Sequence, residues 1–369
     1  MSQSPPIFVT RPALPPLEEV IPYLEQIWQR GILTNAGPLH QQLEQALAEF
    51  LGVPFVSLFN NGTNALLAAL QSLNLRGEVI TTPFTFIATA EAISWNRLEP
   101  VFADIDAHSF NLCPEAVASR ITTRTAAILP VHCYGTPCDT AALQALGQRH
   151  GIPVIYDAAH AFAVRDPGGS VLRHGDLAVL SLHATKVFNT FEGGAVISHS
   201  ADHKARIDRL RNFGFSSETD VEQIGLNGKM NEFSAAVGLA QLPHISAQIE
   251  ARRRVHQAYC EQLDTLPDLT LPPVPAMVRR NYSYFPVLLP DRHLRDQVHQ
   301  ALKDRNIFSR RYFFPLLCDT AAYRNADPQA VLPRARQVAD RVLCLPIHSS
   351  LTDADIRAVI EALQEALAR

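Results

Sequence analysis

Between residues 55 and 198, short uninterrupted apolar runs alternate with helix-like stretches, and this alternation restricts the fold more than any other feature. "FVSLF" (55–59) precedes "TNALLAALQSL", "EVITT" (78–82) precedes "FIATAEAISW", and "PVFADI" follows. "AAILPVH" (126–132), the helical "DTAALQALGQRH", "PVIYD" (153–157), "LAVLSL" (177–182) and "GAVIS" (194–198) complete the series. Strands that are apolar at every position, not at alternate ones, are buried on both faces. The intervening helices supply the cover, so the pattern predicts an α/β fold around a large, mainly parallel sheet. Two further helices, "IPYLEQIWQRGIL" and "HQQLEQALAEFLG", come before it.

The second half reads differently. A long helical stretch starts near Asn231 and runs into the proline-rich "LPDLTLPPVPAMV". Beyond it lie a strand-like "YSYFPVLL", a helix near 292–304, a strand-like "FSRRYFF" and a closing helix at 352–367. We therefore expect a large domain over 1–245, with the N-terminal segment attached, and a smaller α/β domain over 246–369.

A net charge of −4 over 369 residues leaves no basic footprint for nucleic acid or an anionic membrane surface. No apolar run approaches the roughly 18 residues that span a bilayer. The N-terminus lacks the basic-then-apolar pattern of a signal peptide, so a cytoplasmic location is expected. The six cysteines form no CxxC pair, and no His/Cys/Asp cluster has ligand spacing, so no metal is expected.

Ligand sites of open parallel sheets form beyond the carboxyl ends of the strands, and several unusual residues stand there. "NNGT" (60–63) joins strand to helix. It is either an ordinary turn capped by a hydroxyl or an anion seat at a helix N-terminus. "VIYDAAHAF" puts Asp157 at a strand end, as a cap or as partner to a cationic ring nitrogen, with His160 a turn later. "PFTFIATAEA" places Phe84 and Phe86 at another exit, as core or as a face for a planar group. "SLHATKVFNTFEGGAV" (181–196) sets Lys186 where a buried strand ends, either in a surface loop or in a cleft as a Schiff-base nucleophile. GxGxxG and Walker A motifs are lacking, which disfavours nicotinamide and ATP. A lysine, an acid, an aromatic face and a phosphate seat together suit one cofactor, pyridoxal 5′-phosphate.

In these motifs the chain resembles the DegT/StrS-type sugar aminotransferases, which are fold-type I pyridoxal-phosphate enzymes. The likeness extends from "ILTNAGP" (32–38) through "FNNGTNALLAAL", "VIYDAAHAF", "LRNFGF" and "GLNGKMNEFSAAVGLAQL" to "LCLPIHSSLT" (343–352). The resemblance implies that Lys186 joins the cofactor's aldehyde and later moves protons, and that Asp157 pairs with the pyridinium nitrogen. It sets His160 beside the ring's 3-oxygen, Phe86 against the ring, and Gly62, Thr63 and Ser181 on the phosphate. Asn227 and Lys229 fall in a loop lent to the partner subunit's phosphate. His183 stands near the reacting centre. "SRRYFFP" (309–315), with Arg310, Arg311, Tyr312 and Phe314, matches a sugar-contacting segment.

The resemblance further implies a homodimer with shared active sites, L-glutamate as amino donor and a nucleotide-linked keto-deoxy-sugar as acceptor. The N-terminal "TRPALPPLEEVIPYLEQIW" and "HATKVFNTFEGG" look most like enzymes that aminate C-4 of a dTDP-4-keto-6-deoxyhexose, as in deoxysugar supply to lipopolysaccharide O-antigen. C-3 aminases share most motifs. A general amino-acid aminotransferase would need an arginine for the substrate carboxylate, and Arg310 and Arg311 are candidates. A dehydratase branch carries histidine at the lysine position, against Lys186. A cofactor-retaining regulatory protein would need a sensor or DNA-binding segment, and none is evident.

Overall fold

The computed structural model describes residues 5–273 and 276–368. The apolar runs become seven strands: β1 (Phe55–Phe59), β2 (Glu78–Thr81), β3 (Glu99–Phe102), β4 (Thr125–Leu129), β5 (Ile155–Asp157), β6 (Leu177–Ser181) and β7 (Gly194–Ser198). Hydrogen bonding orders them β1-β7-β6-β5-β4-β2-β3, with β4 and β5 joined through single bridges at Ile128–Val154 and Val131–Asp157. β2 runs parallel to β3 and β4, and β5 parallel to β6. β7 alone is antiparallel, to both β1 and β6. The sheet is thus mainly parallel, as the unbroken apolar runs imply.

Alternate residues of one strand enter two different cores. Val56 and Leu58 of β1, Ala178 and Leu180 of β6, and Ala195 and Ile197 of β7 join one cluster, with Leu39, Leu43 and Leu47 of the helix Pro38–Leu51. Phe59, Val179 and Val196 join the other, with Ala65, Leu66 and Ala69 of the helix Gly62–Ser72. Period-two side chains between two helical layers explain why every position is apolar.

The stretch from Asn231 is two helices, Glu232–Gln241 and Ile245–Leu263, separated by a single 3₁₀ turn at Leu242–His244 that contains Pro243. Beyond it, β8 (Phe285–Leu288) pairs antiparallel with β9 (Val342–Leu345), and the helices Arg292–Asp304, Pro333–Arg341 and Asp353–Leu367 accompany them. "FSRRYFF" corrects an expectation. Only Ile307–Phe308 is strand, and its partner is Ile7–Phe8 from the N-terminus. After Ser309 the chain makes one bridge, Arg310 to Cys344, and turns back as the Phe314 N–H donates to the Arg311 carbonyl (2.7 Å). The N-terminal segment therefore joins the C-terminal unit's edge. No described helix is long and apolar enough to cross a membrane.

Glu44 ties the first core together. Its carboxylate accepts from the Leu58 N–H (2.9 Å), Lys204 Nζ (2.8 Å) and Arg211 Nη1, and meets His40 Nε2 at 3.1 Å. Burial alone would raise this carboxyl, but His40, Arg211 and Lys204 outweigh it and hold it well below the usual range. Glu44→Gln should therefore destabilise the fold by about 3 kcal/mol at pH 7, the cost of stranding buried cations. A depressed carboxyl stabilises above its unfolded pKa, about 4.3, and that contribution drains away as the pH falls towards the folded value. Urea unfolding of both proteins should show the gap shrinking below pH ~4.3. A gap unchanged at low pH would mean that Glu44 acts by packing.

Candidate active site

The carboxyl ends of β1, β5 and β6 open onto one cavity of about 310 Å³, lined by Gly62, Thr63, Phe86, Asp157, His160, Ser181, His183, Lys186 and Tyr312 among others. Nine residues singled out from sequence thus meet at one place.

At the end of β1, Asn61 caps the helix Gly62–Ser72 by accepting the Asn64 N–H (2.8 Å). The N–H groups of Gly62 and Thr63 lie in the first turn and have no intrahelical acceptor, which makes an anion seat. Two glycines permit its geometry. A Cβ on Gly62 would stand 3.1 Å from the Ser181 Cβ, so the bare α-carbon lets the helix start against the Ser181 hydroxyl. A Cβ on Gly194 would fall 2.4 Å from the Asn61 carbonyl oxygen and 2.7 Å from the Gly62 nitrogen. The second glycine of "FEGG" is what allows β7 to pass beneath the seat.

Asp157, at the end of β5, is buried. Its Oδ2 accepts from the Thr89 hydroxyl (2.8 Å) and its Oδ1 from the Ala159 N–H (3.1 Å). Burial raises its pKa, while those two bonds and the Lys186 ammonium oppose the rise. His160 Nδ1 accepts the Tyr134 N–H at 3.2 Å. The neutral ring therefore carries its proton on Nε2, which faces the Tyr284 hydroxyl at 3.4 Å. Burial, then the charge on Lys186, holds His160 well below its ordinary value and therefore neutral.

Lys186 follows β6 in a turn closed by its own N–H on the His183 carbonyl (2.9 Å). The N-terminal segment braces this loop. The Thr10 hydroxyl donates to the Thr185 carbonyl (3.2 Å), and Asn189 Nδ2 to the Ala13 carbonyl (2.9 Å). Burial brings the Lys186 amine down to about 8, against a pull upward from Asp157. The chain has four lysines, and Lys186 is the one lining the cavity among the described residues. Phe84 and Phe86 separate cleanly. Phe84 is fully buried against Phe110, Tyr134 and Phe313, whereas Phe86 is 59% exposed and lines the cavity.

His183 Nδ1 meets the Thr185 hydroxyl (2.9 Å) and N–H (3.3 Å), and its Nε2 lies 3.6 Å from Glu192 at the cavity wall. Tyr284, Tyr312 and Phe313 close the cavity from the C-terminal unit. Of these only Tyr312 was named from sequence. Glu192 could have been found, since it lies inside the quoted "FEGG"; Tyr284 carries no local signal.

Arg310, Arg311 and Phe314 do not line this cavity, contrary to the expectation for "SRRYFFP". Arg311 Nη1 is drawn to Asp296 (2.9 Å), and the Phe314 ring carries the guanidinium groups of Arg295 (4.5 Å) and Arg292 (4.6 Å). Asn227 and Lys229 also lie off it. The Asn227 carbonyl accepts from Asn60 Nδ2 (3.3 Å), while Lys229 Nζ donates to Asn212 Oδ1 (3.1 Å) and sits over the Phe213 ring. Among the described residues no cluster of three His, Cys, Asp or Glu side chains could hold a metal ion.

The cavity's residues fit pyridoxal 5′-phosphate. They include an amine of lowered pKa, an acid whose oxygens each retain a free lone pair, an aromatic face aimed into open space and a hydroxyl-flanked anion seat. A profile described as the DegT/DnrJ/EryC1/StrS aminotransferase family matches residues 17–364. A dTDP-4-amino-4,6-dideoxy-D-glucose transaminase of Shigella dysenteriae is 50% identical over 98% of this chain and 99% of its own. One of the same name from Escherichia coli is 48% identical over 94% of each chain. The crystal structure of DesI with its TDP-sugar product superposes with a TM-score of 0.95 at 36% identity, covering 99% of this chain and 94% of that one.

Proposed function

The chain belongs to the DegT/DnrJ/EryC1/StrS aminotransferase family, whose members depend on pyridoxal phosphate, and on that premise we propose that it moves an amino group from L-glutamate to C-4 of a dTDP-4-keto-6-deoxyhexose. The observation that carries the acceptor's identity is the 50% identity, over essentially both full lengths, to a transaminase named for the 4-amino-4,6-dideoxyglucose product.

Pyridoxal phosphate, when bound, supplies an aldehyde for the amino group and a ring that draws electrons from the reacting carbon. The protein's residues do the rest. The Lys186 amine, near 8, is partly neutral at cellular pH and accepts and returns the proton at the reacting carbon. With the cofactor bound, the Asp157 carboxylate would accept the ring nitrogen's N–H, and the His160 Nε2–H would donate beside the ring. Gly62, Thr63 and Ser181 bind the phosphate, and Phe86 covers the ring. His183 and Tyr312 face the sugar.

Incubating the purified protein with ¹⁵N-glutamate and a panel of dTDP-, UDP- and GDP-linked 4-keto and 3-keto sugars tests the proposal. NMR should find ¹⁵N on C-4 of the dTDP sugar. Label at C-3, or on no sugar, would overturn the reading.

The proposal includes a homodimer. Leu17, Trp28, Leu33 and Ile224 are 68%, 78%, 64% and 85% exposed on the single chain. Large apolar side chains left in the open suit a surface that a second copy covers. The Asn227–Lys229 loop would then reach the partner's phosphate. Lys186→Ala and the double variant Asn227→Ala/Lys229→Ala should each be nearly inactive. Remixed dimers should regain about a quarter of wild-type activity, because half are mixed and one site in each is intact. Failure of verified mixed dimers to recover would show that the loop serves its own chain. We also propose the division near 245 into two domains, supported by the 3₁₀ turn between the two helices there. A cytoplasmic location is supported by the six free cysteines.

A further inference from the structure

A buried polar chain runs from the cavity wall to Asp157, and its two threonines have no part in the roles above. Thr89 is fully buried in the helix Ala88–Trp95, one turn beyond Thr85. Its hydroxyl lies 2.8 Å from Asp157 Oδ2 and 3.0 Å from the Thr85 hydroxyl. An ionised carboxylate only accepts, so the Thr89 proton goes to Asp157 and Thr85 must donate to Thr89. Direction is thereby fixed along the whole chain, from Thr85 to Thr89 to Asp157.

Its position gives it a further consequence. Thr85 and Thr89 flank Phe86, so the residues that carry the aromatic face are tied through this chain to the acid at the end of β5. The Thr89–Asp157 bond thus links the segment carrying Phe86 to the Asp157 carboxylate. It also occupies a single lone pair of Oδ2, while the Ala159 N–H occupies one of Oδ1. Rotation of the carboxylate would break one or the other.

We propose that Thr89 is a positioning residue, which orients Asp157 and keeps it ionised so that a proton stays on the cofactor's ring nitrogen. The proposal rests on the pyridoxal-phosphate reading of the cavity. Burial already pushes the Asp157 carboxyl upward, and the Thr89 bond is the leading opposing contribution. Without that donor the carboxylate becomes more basic and takes the proton from the ring, which then draws electrons less strongly.

The test uses holoenzyme reconstituted with cofactor ¹⁵N-labelled at the ring nitrogen. NMR reports whether that nitrogen carries a proton, and rapid mixing with glutamate alone reports the first half-reaction. Wild type should show a protonated nitrogen. Thr89→Val should shift the signal to the unprotonated position and slow the half-reaction about 10- to 100-fold, the worth of one bond to a buried charge. Half-saturation by glutamate should barely move. Thr89→Ser, which restores the donor, should match wild type in both readouts. Thr89→Ala removes the same donor with less steric change, and it decides the matter if the valine variant does not fold.

A protonated nitrogen and a wild-type half-reaction in a folded Val or Ala variant would overturn the proposal. Failure of the wild type itself to bind the cofactor would instead overturn the reading of the cavity. The two failures are distinguishable.

Discussion

Lys186→Ala should slow the glutamate half-reaction by about 10⁴-fold, the upper end of what a positioned general base contributes, while leaving the fold intact. The side chain is half-buried at the end of β6, and the turn that carries it is held by backbone bonds the substitution does not touch. No other lysine can replace it. Lys204 is engaged with Glu44 and Asp208, Lys229 with Asn212, and Lys303 lies in the last turn of the helix Arg292–Asp304. The lowered amine adds a pH signature to cofactor-free protein. Only the neutral amine attacks an aldehyde, so cofactor capture should accelerate as pH rises and level off above about 8. An unperturbed lysine would keep accelerating towards about 10.4. Stopped-flow absorbance reads the variant on mixing with glutamate and the pH profile on cofactor addition. Capture that still climbs at pH 10 would contradict the lowered amine.

Asp157→Asn should cost about 3–5 kcal/mol of interaction at the ring nitrogen, because it strands one partner of a buried charged pair. That corresponds to a loss of roughly 10²- to 10⁴-fold in rate. The amide oxygen can still accept from Thr89 or Ala159, so the substitution should be tolerated structurally. The effect on stability has the opposite sign. Burial raises the Asp157 carboxyl. In cofactor-free protein its ionised form therefore opposes folding once the pH exceeds its unfolded value, about 3.9. Cofactor-free Asp157→Asn should unfold at a temperature equal to or above that of the parent at pH 7, while turning over hundreds of times more slowly. Such a trade is the mark of a residue kept for chemistry. A variant of near-normal rate and reduced stability would make Asp157 a structural cap.

The strands of the sheet are legible in the sequence because doubly buried strands are apolar at nearly every position, as Val56–Phe59 and Leu177–Leu180 show. Strand direction is not legible. β7 reads like its neighbours but returns antiparallel, and nothing in "GAVIS" marks that. The cavity's gathering of strand-end residues follows from the parallel sheet itself. The C-terminal contribution does not, because it depends on how an irregular segment turns. Tyr312 and Phe313 reach the cavity while Phe314 lies under arginines, and no period in "RYFFP" separates them.

Contacts between distant parts of the chain are equally silent. The Glu232 carboxylate accepts the N–H groups of Leu39 (3.0 Å) and His40 (2.8 Å) at the start of a helix nearly two hundred residues away. Thr89 shows the same limit at the site. A threonine in the first turn of a helix resembles any buried hydroxyl until Asp157 is seen beside it.

Borohydride reduction tests most directly whether Lys186, in the turn after β6, carries the cofactor. Reduction should make the protein's yellow colour fade and the cofactor's attachment permanent. Digestion and mass spectrometry should then find the adduct on the peptide containing Lys186, with Lys204, Lys229 and Lys303 unmodified. Wild type should give that single adduct, and Lys186→Ala should give none. Cofactor fixed to any of the other three lysines would contradict the assignment to Lys186.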